Sequence, residues 1–241
     1  MSFSPSLPAR HLRSNELLAR EGFIRRPPEG TEMEVQSHVD ASAMSAAIHH
    51  KFTARLLGTS PQTLAKGIQG GVIPEITAGN LTNLASLAVL TKACTDAGFD
   101  IPVLRGGVQA PSTWDAYDPP RLYTGYDASM TDPEALDAVD RWWPYSGSDS
   151  VLKAGGMITA LGGWTVMLLA IDGVKQELPG GGNCLHYDAR LIARCDSVID
   201  QKIRVIDPGH PFAAHAYELL GKRVLGGGGG TITRLAAGEA V

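Results

Sequence analysis

The stretch GGWTVMLLAIDG, residues 162–173, contains the longest apolar run of the chain, from Trp164 to Ile171. An apolar run of about eight residues between glycine-containing turn signals is typical of a buried strand. The pair Asp172-Gly173 is also a favoured two-residue hairpin turn. We therefore predict a buried strand over 164–171, and we expect the following segment GVKQEL to pair back against it as a hairpin partner.

The bulk composition indicates one folded domain around this strand. The chain has 241 residues, of which 44% are hydrophobic and 19% are charged, with 28 glycines and 15 prolines. This apolar share argues against disorder, and the length suits one large domain. Residues 1–30 contain several prolines and end in RRPPEG, which cannot be helical because proline biases its predecessor to extended geometry. We predict an N-terminal arm over 1–30 and a single globular domain over 31–241.

The rest of the chain carries more helical than extended patterns. Apolar spacing and end signals predict a helix over 40–57 and a short one starting at Pro61. The clearest helical pattern, NLTNLASLAVLTKACTDAG, begins at Asn80. Further helices are predicted over 131–143, 184–198 and 211–220, and the pattern over 148–161 is compatible with another. Extended segments are predicted over 101–109, 120–126, 202–206 and 231–235. The expected fold class is α+β and helix-dominated, with about six helices and a small sheet.

Charge and cysteine content exclude several classes of function. The net charge is −4 and there is no basic tail, which disfavours sequence-specific nucleic-acid binding because phosphate contacts need clustered Lys and Arg. Three cysteines without a CxxC pair argue against a disulfide framework and a structural zinc site. We expect no metal and no cofactor. Because the sequence shows neither a signal peptide nor an apolar run of about 20 residues, we expect a soluble, cytoplasmic protein without a membrane partner.

The segment GGGNCLH, residues 180–186, is the most enzyme-like stretch. If Cys184 opens the predicted helix after a glycine turn, backbone N–H groups and the helix dipole would stabilise its thiolate. The string resembles the Gly-Asn-Cys-Leu box of the ovarian-tumour family of cysteine proteases. That resemblance implies a cysteine-dependent hydrolase with Cys184 as the nucleophile and His210 or His215 as the base. The alternative is a glycine turn into a helix whose first residue is a cysteine without catalytic function.

Aromatic residues form a second group of candidates. Trp114 and Tyr117 lie in a long irregular loop, and Trp142 and Trp143 stand at the predicted end of a helix. Clusters of this kind fill a core or anchor an interface with a partner. A small-molecule enzyme site built from Trp114, Tyr117, His186 and His210 stays open as a third alternative. The five-glycine run 226–230 lacks the GK[ST] sequel of a phosphate loop, so we interpret it as a flexible loop or a close backbone contact.

The segment TAGNLTNLASLAVLTKACTDAGFDIPVLRGG, residues 77–107, resembles coat proteins of the totivirus type, from double-stranded RNA viruses of fungi. The resemblance implies a helix-rich shell subunit that encloses nucleic acid without gripping it. Low charge, the proline-rich arm and the aromatic loops also suit a subunit that buries much of its surface against copies of itself. The leading hypothesis is a self-assembling, non-enzymatic structural subunit located in the cytoplasm, or in the virion if it is a coat protein.

Overall fold

The computed structural model describes residues 50–87, 90, 101–112, 120–144, 148–177, 184–224 and 232–233. All of these belong to one compact unit, Ser45–Val241. The predicted arm 1–30 lies outside the described residues, as does most of the helix predicted over 40–57. No helix in the described part of the chain is long and apolar enough to cross a membrane.

The described part of the chain combines short helices with a mixed sheet. The described helices are α1 (His50–Leu56), α2 (Pro61–Gln69), α3 (Ala78–Ser86), α4 (Asp132–Asp137), α5 (Ser148–Ala154), a 3-10 turn (Pro211–His215) and α6 (Ala216–Leu219). Two of them begin as their sequences predict. Ser60 caps α2 ahead of Pro61, and Thr131 and Glu134 form a reciprocal capping box at the start of α4.

The sheet is the larger part of the described fold. Its strands are β1 (Val103–Gly106), β4 (Arg141–Pro144), β5 (Gly156–Leu161), β6 (Trp164–Glu177), β7 (Cys184–Ser197), β8 (Lys202–Val205) and β9 (Ile232–Thr233). Their order is β4-β7-β6-β5-β1-β9, with β8 also paired to β7. A separate two-stranded ribbon joins β2 (Ala110–Pro111) to β3 (Tyr123–Thr124).

The strand predicted over 164–171 is confirmed and forms the first half of β6 at the centre of the sheet. Every residue from Trp164 to Ile171 is buried, because β5 and β7 flank the strand and side chains of both its faces enter the core. The hairpin predicted at Asp172-Gly173 is wrong. β6 continues through these residues to Glu177, and Gly173 pairs with Asp188 of β7.

The helix-dominated fold class is wrong, because more described residues lie in strands than in helices. The largest single error is the helix predicted over 184–198, which is the 14-residue strand β7. Its leucines, alanines and arginines favour a helix locally. In the folded chain β7 hydrogen-bonds to β6 along one edge and to β4 and β8 along the other, and five consecutive residues from Leu191 are buried.

Two other helical predictions end too late, and a third helix is interrupted. The pattern at 148–161 divides into α5 and the fully buried strand β5 after Gly155, whose φ is +62°. The helix predicted over 131–143 ends at Asp137, and β4 follows. The helix predicted over 80–97 is present up to Ser86 and is interrupted at Leu87, whose backbone is extended. Leu90 is again helical, and the rest of the predicted second half lies outside the described residues.

Candidate functional site

The parallel strands β1 and β5 position the main candidate site. Val103 to Gly106 run in register with Ile158 to Leu161, so both strands end at the same edge of the sheet. In open α/β sheets, ligands bind outside the carboxyl ends of parallel strands. A cleft of about 420 Å³ lies at this edge, within the range of 300–1,000 Å³ that is usual for small-molecule sites.

Four segments line this cleft. Arg105 and Gly106 come from the end of β1, and the 58–66 segment supplies the start of α2. Ala160 lies in β5, which continues into the turn glycines Gly162 and Gly163, and Val224 follows α6. The two turn glycines have φ angles of +57° and +84°, which side-chain-bearing residues rarely adopt. A two-residue turn with positive φ matches the twist of the strands that it connects.

The turn is pressed directly onto helix α2. A Cβ atom at Gly162 would lie 2.5 Å from the backbone N of Gly67 and 2.7 Å from the carbonyl O of Thr63. Only hydrogen fits there, so backbone packs against backbone. This contact fixes the distance between two walls of the cleft, which is therefore preformed.

The cleft has a cationic and hydroxyl-rich lining. The exposed Lys66 and the half-buried Arg105 provide two positive charges, and Thr59, Ser60 and Thr63 provide hydroxyl groups. Ser60 Oγ accepts a hydrogen bond from the backbone N–H of Thr63 (3.0 Å) and lies 2.9 Å from Thr63 Oγ1. The described lining residues include no carboxylate. Such a surface favours anions, because cationic N–H groups form the strongest hydrogen bonds with charged oxygen.

Cys184 is in a different place from the one its sequence context predicts. It is the half-buried first residue of β7 and pairs with Pro144. It therefore does not open a helix, and the predicted stabilisation of its thiolate by a helix dipole does not arise.

The structure does not bring Cys184 together with the two histidines proposed as its base. His210 caps the 3-10 turn, and its ring lies 5.0 Å from the ring of Phe212, which packs against Gly156 of β5. Gly156 pairs with Ala170 of β6, which pairs with Arg190 of β7. Arg190 is six residues along β7 from Cys184, or roughly 20 Å away. His215 lies 3.3 Å from Glu218, just before α6, which is hydrogen-bonded to the opposite end of β6.

His186 follows Cys184 on the same face of β7, because side chains alternate along a strand. Its Nε2 lies 3.1 Å from Asp140 Oδ2. Only 5% of His186 is exposed, so the imidazole ring is closed to a substrate. The contact between His186 and Asp140 instead attaches the start of β4 to β7. The backbone N–H of Tyr187 adds a second link there, because it donates to the Asp140 carbonyl (2.8 Å).

The structure describes only two of the four aromatic candidates. Trp114 and Tyr117 lie outside the described residues. The backbone of Trp142 belongs to β4, and nothing further is described for its side chain. Trp143 is half-buried, donates its indole N–H to the Val139 carbonyl and packs against the core, which is a structural role.

Among the described residues, Arg194 is the most deeply buried charge, and it lies in a network with Arg204 and two aspartates. Asp132 contacts Arg194 (3.3 Å) and Arg204 (2.8 Å), and Asp196 contacts the same two guanidinium groups at 3.1 Å and 2.7 Å. Hydrogen bonding from Arg204 holds the pKa of Asp132 below its usual value. Since every charge has an opposite partner, the network binds the start of α4 to β7 and β8.

Sequence reasoning identified the cap at Ser60 but missed Lys66 and Arg105 as site residues. Neither belongs to a local motif, and 38 positions separate them in the chain. The parallel pairing of β1 with β5 brings them to one cleft. Comparison of the chain with protein-family models, curated proteins and solved structures finds no match.

Proposed function

We propose that this protein binds a small phosphate-bearing molecule in the cleft at the ends of β1 and β5. The observation that carries the proposal is a cleft of about 420 Å³ that brings the exposed Lys66 together with the hydroxyl groups of Thr59, Ser60 and Thr63, and that has Arg105 in its β1 wall. A phosphate group offers several acceptor oxygens in a tetrahedral arrangement. Cations and hydroxyl groups that approach from separate walls can satisfy these oxygens at the same time.

The rigidity of the cleft supports this function. The contact of Gly162 with the α2 backbone holds the walls in place before a ligand arrives. A preformed site loses less conformational entropy on binding than a site that must be ordered. The low net charge of −4 does not oppose the proposal, since a small ligand needs only local positive charge.

Titration calorimetry with inorganic phosphate, pyrophosphate and adenosine monophosphate tests the proposal, with adenosine as the uncharged control. Lys66→Gln and Arg105→Gln should each weaken binding about 10- to 100-fold, because a hydrogen bond to a charged group contributes about 1.5–3 kcal/mol. Lys153→Gln is the matched control, since Lys153 is exposed on α5 and should leave affinity unchanged. Failure of all the phosphate compounds to bind at millimolar concentration would refute the proposal.

A second candidate is the self-assembling structural subunit. Its supporting observations are two large side chains exposed to solvent, Leu122 at 66% and Tyr217 at 61%, and the low charged share of 19%. Burial of such side chains in a contact between subunits would be favourable, because it removes apolar surface from water. The resemblance to totivirus-type coat proteins and the enclosure of nucleic acid remain predictions.

Light scattering coupled to size-exclusion chromatography tests this second candidate. The wild-type chain should elute as an oligomer at micromolar concentration, and Leu122→Ser or Tyr217→Ser should shift it toward the monomer. A wild-type monomer under these conditions contradicts assembly, whatever the outcome of the phosphate titrations.

A further inference from the structure

The 126–130 segment is hydrogen-bonded to the chain just beyond the end of β1, the strand whose Arg105 lines the cleft. The backbone N–H of Tyr126 donates to the Gly107 carbonyl, and the Tyr126 carbonyl accepts from the backbone N–H of Gln109, both at 3.0 Å. These two bonds attach the segment to the β1 wall of the cleft within a few residues of its cation.

The same segment is also hydrogen-bonded to the end of α2, the helix that carries Lys66. The backbone N–H of Ala128 donates to the Gly70 carbonyl (2.9 Å), and the N–H of Gly70 donates to the Lys66 carbonyl one turn earlier (3.0 Å). A Cβ atom at Gly70 would lie 3.2 Å from the Tyr126 carbonyl oxygen, so the helix end and the segment are in close backbone contact. The 126–130 segment therefore connects the α2 wall of the cleft to the β1 wall.

Buried side chains hold this segment in place. Arg194 is fully buried on β7, and it donates to the Tyr126 hydroxyl (2.9 Å) and to three backbone carbonyls of the segment (2.6, 2.8 and 3.1 Å). The Tyr126 hydroxyl in turn donates to the Cys195 carbonyl (3.4 Å). A displaced segment would leave a buried cation without acceptors, which is strongly unfavourable. The segment therefore has one favoured position, and its backbone bonds impose that position on both walls.

We propose that Tyr126 and Arg194 are positioning residues of the cleft, because they set the separation of its α2 and β1 walls through the 126–130 segment. Both residues lie outside the described lining of the cleft. This inference rests on the proposed function and adds a source of its affinity. An anion that contacts both walls binds less tightly when their separation changes, since hydrogen bonds weaken outside a narrow range of distances and angles.

Titration calorimetry of Tyr126→Phe with pyrophosphate tests the inference. The substitution removes the hydroxyl that joins the segment to β7 and keeps the ring and the backbone bonds. We expect an affinity about fivefold below that of the wild type with unchanged stoichiometry, as is usual for substitutions that act through a connected network. Tyr187→Phe is the matched control and should keep the wild-type affinity, because Tyr187 is fully buried and its hydroxyl has no hydrogen-bond partner among the described residues.

A double variant separates positioning from general stabilisation. If Tyr126 acts through the separation of the two walls, its effect should vanish once the α2 wall has lost its cation. Tyr126→Phe combined with Lys66→Gln should then bind pyrophosphate as weakly as Lys66→Gln alone. An equal loss of affinity in both backgrounds would overturn the inference, since additive effects indicate independent sites. A lower free energy of unfolding with unchanged affinity would also overturn it, because the role of Tyr126 would then be structural only.

The outcomes distinguish this inference from the proposed function. If none of the phosphate compounds binds the wild type, both fail. If pyrophosphate binds the wild type and Tyr126→Phe equally well, only the inference fails. If Tyr126→Phe does not fold, ¹⁵N spectra of the wild type decide, because coupling between two sites is reciprocal. The amide resonances of Tyr126 and Ala128 should shift as pyrophosphate binds, and unchanged resonances overturn the inference.

Discussion

Replacing Arg194 by methionine removes a fully buried charge of the sheet and keeps an unbranched, apolar stem. The Arg194 side chain is fully buried on β7. Its guanidinium group donates to Tyr126 Oη at 2.9 Å and to the backbone carbonyls of Asp127, Ala128 and Met130 at 3.1, 2.8 and 2.6 Å. These contacts attach the whole 126–130 segment to the sheet.

The expected loss of stability follows from this geometry. Breaking a buried charged pair by removal of one partner costs about 3–5 kcal/mol, because the remaining groups stay desolvated without a partner. We therefore expect Arg194→Met to lower the free energy of unfolding by about 3–5 kcal/mol. For a chain of this length, such a loss lowers the melting temperature by roughly 6–20 °C. Urea denaturation followed by circular dichroism measures the free energy, and calorimetry measures the melting temperature.

Arg190→Met is the matched control on the same strand. Arg190 binds Asp172 through two hydrogen bonds of 2.8 and 3.1 Å, but half of its side chain is exposed. Solvent-exposed ion pairs contribute little to stability, so this variant should unfold like the wild type. Equal destabilisation by the two substitutions would refute the argument that burial, rather than the ion pair itself, determines the energy.

Three further predictions concern pH, backbone packing and thiol reactivity. Hydrogen bonding from Arg204 lowers the pKa of Asp132 in the folded chain. The pair therefore stabilises the fold at pH values above the unfolded pKa of about 3.9, and it loses this effect as the pH falls through the folded pKa. Asp132→Asn should flatten the acid limb of a curve of unfolding free energy against pH. Gly162→Ala should lower the free energy of unfolding by about 1–3 kcal/mol, because the added methyl group overpacks against α2. Gly173→Ala is the control in urea denaturation, since a Cβ atom at Gly173 would have no other atom within 4 Å. Burial raises the pKa of Cys195 to about 12, so iodoacetamide should label the half-buried Cys184 faster than Cys195. Mass spectrometry measures the two rates, and equal rates would contradict the buried position of Cys195.

The parts of the fold that sequence alone determined are those governed by nearby residues. The apolar run from Trp164 to Ile171 lies between glycine-containing turns and has side chains that favour burial on both faces of a strand, so its own composition predicts a buried strand. The caps at Ser60 and Thr131 follow from side-chain oxygens that satisfy backbone N–H groups within three residues. These interactions need no distant partner, which is why their patterns are readable.

The remaining parts were decided only by tertiary structure, because they depend on pairings between distant segments. The segment 184–197 has helix-favouring residues, yet hydrogen bonds from β4, β6 and β8 make it a strand. The cleft depends on the same kind of contact, since Lys66 and Arg105 meet only after β1 aligns with β5. The energy of burying β7 between β6 and the strands β4 and β8 outweighs its local helix propensity, and no local pattern in the sequence carries that information.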